Sequence, residues 1–329
     1  MPNWSEILNE VNGLIASGRG DAIDVVRRKY LKNLSTITGR NTIAYYSGFL
    51  NNINIEETSI TDVDKNGFMT VINKLDRNKG LDLLLHTPGG DLAATESLVE
   101  YLRSMFGNNI RAIIPQIAMS AGSMIACSCN SIVMGKQSSI GPIDPQMRGI
   151  PATGVIEEFE RAKTEVAKNP KCIPLWQVII GKYHPTFIGE CEKAIEWSKE
   201  IVTKWLISNM LESDDNRETI AANIVNYLSD HSEMKAHARH IGIDDCEKIG
   251  LRIEHLETLN KSNDLQDAVL SVHHAYMITF SSSAAIKITE NQDGVAMLIN
   301  KSVNAPVAPQ QLMPLQIPIQ FPFQTPPQK

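Results

Sequence analysis

The sequence lacks the features that mark secreted, membrane-bound and nucleic-acid-binding proteins. Its five cysteines, an odd number, form no C-x-x-C pair, which favours reduced thiols in the cytoplasm over a disulfide framework. The first 20 residues lack a basic start followed by an apolar run, so no signal peptide is expected. A net charge of −6 gives no electrostatic reason to expect nucleic acid or an anionic membrane surface as a partner.

Charged residues are absent from residues 112–135, between Arg111 and Lys136. This run is long enough for a membrane span, which needs about 20 apolar residues. Its proline, serines and asparagine would be costly in lipid, so the sequence predicts a buried segment and no membrane span. The C-x-C pair at Cys127 and Cys129 indicates packing rather than metal binding, and neither a metal nor another cofactor is expected.

Short apolar runs alternate with segments of helical periodicity. The predicted strands are 41–50, 81–86, 110–115 and 131–135. The predicted helices are 1–35, 63–76, a segment that begins at Asp91, 155–168, 187–211 and, with breaks, 217–260. This alternation predicts an α/β fold with a mainly parallel sheet and flanking helices.

The end of the chain changes character. Residues 270–290 are predicted to form a strand, a Ser-rich turn and a second strand, and repeated proline from about Asn304 predicts a disordered tail. The expected organisation is an N-terminal helical segment (1–35), a central α/β domain (36–260), a C-terminal hairpin extension (261–303) and a Pro/Gln-rich tail (304–329).

Two glycine-bearing turns follow strands in the α/β region. In "TPGG" (87–90), Pro88 fixes φ before two glycines that can adopt positive φ, and such a turn can direct backbone N–H groups into a cleft. In "AMSAGS" (118–123), Ser120 lies where a strand passes into a small-residue helix, whose first amides could bind a developing oxyanion. Serine and glycine also occur together where helices pack closely, so packing remains an alternative interpretation.

The segments "LLLHTPGGDLAATESLVEYLR" and "IPQIAMSAGSMIACSCNSIVMGKQSSIGPIDPQ" together resemble the Clp-fold serine peptidases, above all the serine dehydrogenase proteinase branch. The Clp protease proteolytic subunit and signal peptide peptidase A are related members. The resemblance is densest over 81–146 and continues to about Gly250. It implies a Clp/crotonase-type fold and an ATP-independent serine endopeptidase that acts on peptide or protein substrates through an acyl-enzyme, within a homo-oligomer.

The resemblance also assigns roles to residues. Ser120 matches the family's nucleophile, the pair Gly89 and Gly90 matches the turn that supplies one oxyanion amide, and Ala121 matches the second. Ser123 is the rival serine, but it lies one helical turn further on. Its hydroxyl is therefore expected to bond a backbone carbonyl.

At the position of the general base, this sequence differs from the Clp subunit. That subunit has a histidine shortly after its "SIG"-like residues. Here "SSIGPIDPQ" contains Asp144 and no histidine. The signal peptide peptidase type uses a serine–lysine dyad, and Lys182 stands before a long predicted helix as its lysine does. A lysine acts as a base only when its amine is neutral, which requires burial or a nearby positive charge. The apolar sequence "LWQVIIGKY" is compatible with burial of Lys182, and a solvated lysine at a helix start is the alternative. Lys163, His184 and Asp144 are the alternative bases.

Two other functions remain open on the same fold. One is a catalytically inactive, oligomeric scaffold or peptide-binding protein, because the catalytic histidine is missing. The other is a crotonase-type acyl-CoA enzyme, which needs oxyanion amides but no serine nucleophile. The "MSAGS" corner argues against the acyl-CoA enzyme.

Overall fold

A computed structural model describes residues 4–51, 56–147, 149–229, 238–259 and 264–301. The tail predicted from Asn304 lies outside these residues. The strands are β1 (Asn41–Ser47), β2 (Leu81–His86), β3 (Ile110–Ile114), β4 (Ile117–Ala118), β5 (Ser131–Met134), β6 (Ser139–Ile140), β7 (Gln146–Met147), β8 (Ile150–Pro151), β9 (Ile253–His255), β10 (Ala285–Asn291) and β11 (Ala296–Asn300).

The central sheet has the strand order β11-β10-β1-β2-β3-β5-β9. Strands β1, β2, β3, β5 and β9 run parallel, whereas β10 is antiparallel to both β1 and β11. Strand β2 is buried along its whole length, as expected for a strand covered on both faces. The predicted α/β fold with a mainly parallel sheet is confirmed.

Helices cover both faces of this sheet. The helices of the described residues are α1 (Trp4–Ala16), α2 (Ala22–Thr38), α3 (Asp62–Ile72), α4 (Leu92–Phe106), α5 (Ala121–Cys127), α6 (Ala152–Lys168), α7 (Ile173–Ile180), α8 (Phe187–Ser208), α9 (Arg217–Ser229), α10 (Ile243–Ile249) and α11 (Asp264–Ser282). Side chains alternate in direction along a strand, so Leu83 and Leu85 pack in the core with α3, α4, α5, α8 and α9. Leu84, between them, packs with α2 and α11 on the opposite face.

The prediction of a strand at the start of 270–290 is wrong, because this segment lies within helix α11. Its β-branched and aromatic residues favour a strand in isolation. However, Val269, Val272, Tyr276 and Phe280 recur every three or four residues, and all four are buried against the sheet. The hairpin is formed instead by β10 and β11, and β10 joins the central sheet beside β1.

The charge-free run 112–135 folds as strand, short helix and strand rather than as one helix. Helix α5 within it extends only from Ala121 to Cys127. Among the described residues, no helix has both the length and the apolar character needed to cross a bilayer.

Candidate active site

The two glycine-bearing turns lie side by side because a β-bridge joins Thr87 to Ala118. The Thr87 N–H donates to Ile117 O at 3.2 Å, and the Met119 N–H donates to Thr87 O at 3.0 Å. Two residues beyond this bridge, Gly89 lies against Ser120. A Cβ placed on Gly89 would be 2.7 Å from Ser120 Cβ and 3.0 Å from the Ala121 nitrogen, so only glycine fits without displacement.

Ser120 has a backbone conformation that a serine rarely adopts. Its φ of +51° and ψ of −115° place it in the region that favours glycine, immediately before helix α5. The side chain is half-buried, and within the described part of the chain its hydroxyl has no hydrogen-bond partner. Backbone strain of this kind is typical of functional sites, where the surrounding structure holds it in place.

The direction of the Gly90 amide follows from the pairing of this turn with Ile60. The Ile60 N–H donates to Gly89 O at 2.8 Å, and the Asp91 N–H donates to Ile60 O at 2.9 Å. Polar groups of successive residues point to opposite sides of an extended chain, so the Gly90 N–H faces away from Ile60. No sequence signal predicted this role of Ile60.

The amides near Ser120 differ in their bonding. The Gly89 N–H donates to Thr87 Oγ1 at 3.2 Å. The Gly90 and Ala121 N–H groups have no acceptor among the residues that the structure describes. Within the described residues, two amides without an acceptor therefore lie beside one hydroxyl without a partner.

A cleft of about 430 Å³ opens over Ser120, Gly90 and Ala121. Its apolar lining is formed by Leu92, Met124, Ile143 and Pro145. The segment that follows "SSIG" thus contributes Ile143 and Pro145 to the wall. The cleft combines backbone polar groups with apolar walls, which is the usual composition of a ligand site.

Ser123 has a structural role. Its hydroxyl donates to Ala118 O and accepts from the Gly141 N–H, both at 2.9 Å, and the residue is fully buried. The prediction that Ser123 bonds a backbone carbonyl is confirmed. The side chain joins the start of α5 to the loop that follows β6.

The family of this chain follows from its sequence as a whole. The sequence profile of the ClpP-like SDH-type serine proteinases matches residues 25–255, which include both turns and most of the sheet. The chain belongs to this family. The predicted resemblance to Clp-fold serine peptidases is therefore confirmed.

Two curated relatives of this chain come from Methanocaldococcus jannaschii. The uncharacterized protein MJ0137 is 31% identical over 114 residues, which cover 35% of this chain and 40% of the relative. The uncharacterized protein MJ1495 is 34% identical over 108 residues, covering 33% and 37% respectively. The chain thus spans about two-fifths of the length of these relatives.

One solved structure is also similar, that of a mutant of the 1510-N membrane-bound stomatin-specific protease. It has a TM-score of 0.37 and 15% sequence identity. The match covers 64% of this chain and 79% of that one.

The candidate bases Lys182 and His184 lie outside the Ser120 cleft. Lys182 and His184 are exposed and line a separate cleft of about 420 Å³ with Ile150 and Phe187. Lys182 lies in the exposed turn between α7 and α8, so within this chain it has the solvated position that was the alternative to burial. No lysine or histidine from the described ranges lines the cleft around Ser120.

The two remaining candidate bases have other partners. Lys163 is exposed, and its hydrogen bond to the Glu160 carboxylate raises its pKa, which keeps the amine protonated. Asp144 is buried and accepts a hydrogen bond from Thr153 Oγ1. Its neighbours Ile143 and Pro145 line the cleft, so Asp144 lies just behind the wall.

His86 ends strand β2 directly before the glycine turn, on the face opposite Ser120. Its ring is fully buried against Tyr46, Phe49 and His273. Burial, with His273 nearby, holds the pKa of His86 well below its usual value. Burial also lowers the pKa of His273 to about 4. Both rings are therefore neutral in the folded protein at neutral pH.

This burial predicts that acid destabilises the fold. As the pH falls below 6.5, the usual histidine pKa, His273 in the unfolded chain becomes protonated. In the folded protein the same ring stays neutral until the pH reaches about 4. We expect His273 to account for a loss of about 3 kcal/mol of unfolding free energy between pH 7 and pH 4. Urea titrations should show this loss in the wild type and a correspondingly smaller loss in His273→Leu; equal pH dependence would contradict the assignment.

Proposed function

We propose that this chain is an ATP-independent serine endopeptidase in which Ser120 is the nucleophile. Its hydroxyl attacks the scissile carbonyl, and the amides of Gly90 and Ala121 stabilise the oxyanion. The tetrahedral intermediate collapses to an acyl-enzyme on Ser120 Oγ and releases the amine fragment. Water then hydrolyses the ester. The observation that carries this proposal is the strained Ser120, open to a cleft beside two amides that have no acceptor in the described part of the chain.

This proposal divides the roles of the two glycines. Gly90 supplies an oxyanion donor because its N–H faces away from Ile60 and has no acceptor among the described residues. Gly89 has its N–H directed to Thr87, and its contribution is the positive φ of +101° that lets the turn approach Ser120.

The base in this proposal is Lys182 of a neighbouring subunit in a cytoplasmic homo-oligomer. Two observations support a base supplied from outside the chain. The Ser120 cleft contains no lysine or histidine from the described residues, and Lys182 is exposed beside helix α7. That helix presents Leu175 and Val178, which are 61% and 65% exposed, as apolar surface for a subunit contact. Burial by a neighbour would lower the pKa of the amine and allow it to accept the Ser120 proton.

Ser120→Ala is expected to abolish labelling by a fluorophosphonate probe and hydrolysis of a fluorogenic peptide library. The probe reacts only with an activated serine, and the variant lacks the attacking oxygen. Ser123→Ala is the matched control in the same turn, and it should retain labelling with lower stability because it loses two buried hydrogen bonds. Labelling that persists in Ser120→Ala would contradict the proposal.

A mixing experiment tests the source of the base. Lys182→Met and Ser120→Ala should each be inactive alone. If Lys182 acts in a neighbouring subunit, a co-refolded mixture should recover on the order of a quarter of wild-type activity, because some Ser120 residues then face an intact Lys182. No recovery, or full activity of Lys182→Met alone, would reject Lys182 as a base supplied in trans.

Peptide binding without turnover is the second candidate function. It is favoured by the cleft's lack of a basic side chain from the described residues. A chain that binds peptides but remains unlabelled by the probe at any pH would have this function instead.

A further inference from the structure

A buried lysine on the edge of the site has no role in the mechanism above. Lys287 lies in strand β10 with only 2% of its side chain exposed, and Asp64 on helix α3 is 1% exposed. The Lys287 ammonium donates to Asp64 Oδ2 at 2.8 Å and to the backbone oxygen of Ser59 at 2.6 Å. A buried charge is costly unless it is paired and hydrogen-bonded, and here both conditions are met.

These bonds fix both sides of Ile60. Lys287 holds Ser59 through its carbonyl, and Asp64 Oδ2 accepts from the Thr61 N–H at 2.8 Å. Ile60 between them is fully buried and bonds to Gly89 O and the Asp91 N–H. Helix α3 also packs closely on β10. A Cβ on Gly67 in that helix would be 3.1 Å from Oγ1 of Thr289 in the strand.

The position of Gly90 therefore depends on this anchored segment. A Cβ on Gly90 would be only 2.2 Å from the Ile60 nitrogen, which shows how closely the two backbones approach. A shift of residues 59–61 would move Gly90 and redirect its N–H relative to Ser120. Oxyanion donors stabilise a transition state only when they are held at hydrogen-bonding distance from the developing charge.

We infer that Lys287, through its bonds to Ser59 and Asp64, is a positioning residue that aligns the Gly90 amide for the reaction at Ser120. This inference rests on the proposed peptidase function. Lys287 acts from behind the turn and does not touch the substrate. Its effect is on the rate of acylation rather than on the affinity for a ligand.

The test compares Lys287→Met with Glu290→Gln, a matched change of another buried charge in the same strand. Glu290 pairs with Arg27 on the opposite face of the sheet, so its loss should destabilise the fold without moving Gly90. We expect Lys287→Met to lower the limiting rate of fluorophosphonate labelling at least tenfold, with the half-saturating probe concentration changed less than threefold. Glu290→Gln should label at the wild-type rate once the folded fraction is equal. Lys287→Arg, which keeps the charge, should recover part of the rate.

Hydrogen exchange gives a second readout that does not require activity. The Asp91 and Ile60 amides should exchange at least tenfold faster in Lys287→Met than in Glu290→Gln. If Lys287→Met does not fold, the double variant Lys287→Met/Asp64→Leu removes both buried charges and should show the same slow labelling and fast exchange.

The outcomes separate the two proposals. One outcome is that the wild type labels while Lys287→Met matches Glu290→Gln in both labelling rate and amide exchange rate. That result would overturn the positioning role and leave the peptidase function intact. Wild-type protein that does not label would overturn the peptidase function. In that case, Lys287-dependent exchange at Asp91 would still support the structural anchor, and unchanged exchange would reject it.

Discussion

Gly89→Ala is expected to lower the rate of acylation of Ser120 at least 100-fold. The substitution adds a Cβ that would lie 2.7 Å from Ser120 Cβ and 2.9 Å from the backbone oxygen of Met119. It also places alanine at a φ of +101°, which side chains rarely adopt. Either the turn or Ser120 must move, and removal of one oxyanion donor alone typically costs about 10²–10³ in rate.

Gly107→Ala is the matched control for Gly89→Ala. Gly107 ends helix α4 with a φ of +60°, but a Cβ there would meet nothing within 4 Å. This variant should lose about 1–2 kcal/mol of stability from backbone strain and keep the wild-type labelling rate. The test compares the labelling rates of the two variants under conditions in which circular dichroism shows that both are folded. Wild-type rates in Gly89→Ala would show that this close approach is not needed for the reaction.

Glu290→Ala is expected to cost about 3–5 kcal/mol of unfolding free energy, because it removes the buried carboxylate that pairs with Arg27, whose remaining ion pair is with the part-exposed Asp24. Arg27 is fully buried and donates to the Glu290 carboxylate at 2.6 and 3.1 Å. The same carboxylate accepts from Arg28 Nε at 2.7 Å and from the Tyr276 hydroxyl at 2.9 Å. These contacts join α2 and α11 to strand β10, so their loss weakens the packing of both helices on that strand.

Two controls show whether burial causes this cost. Glu165→Gln breaks an exposed pair with Arg161 and should not change the denaturation midpoint measurably. Arg27→Met/Glu290→Leu removes both buried charges and should regain much of the lost stability. Equal denaturation midpoints for Glu290→Ala and wild type would contradict the account of this network.

Much of the α/β core could be predicted from local sequence. Strand β2 begins and ends where its apolar run does, and Asp91 caps helix α4 by accepting from the Ala94 N–H. Both features depend on residues that are close together in the chain. Hydrophobic periodicity and capping residues therefore predict them from the local sequence. The meeting of the two turns was predictable for a similar reason, because both follow strands that a parallel sheet aligns.

The parts that could not be predicted depend on contacts between distant segments. Lys287 reaches Ser59 across 228 positions of sequence, and nothing near either residue indicates the pairing. The wrong strand in 270–290 arose because β-branched residues favour strands locally, whereas packing against α2 and the sheet selects a helix. The base stays a prediction, because no lysine or histidine of the described residues lines the cleft around Ser120.

The most direct test of the account is a crystal structure of the protein after reaction with a fluorophosphonate. We predict phosphorus bonded to Ser120 Oγ, with the phosphonyl oxygen about 2.7–3.1 Å from the nitrogens of both Gly90 and Ala121. An adduct on another residue, or a phosphonyl oxygen on Ser120 that points to solvent away from these two amides, would contradict it.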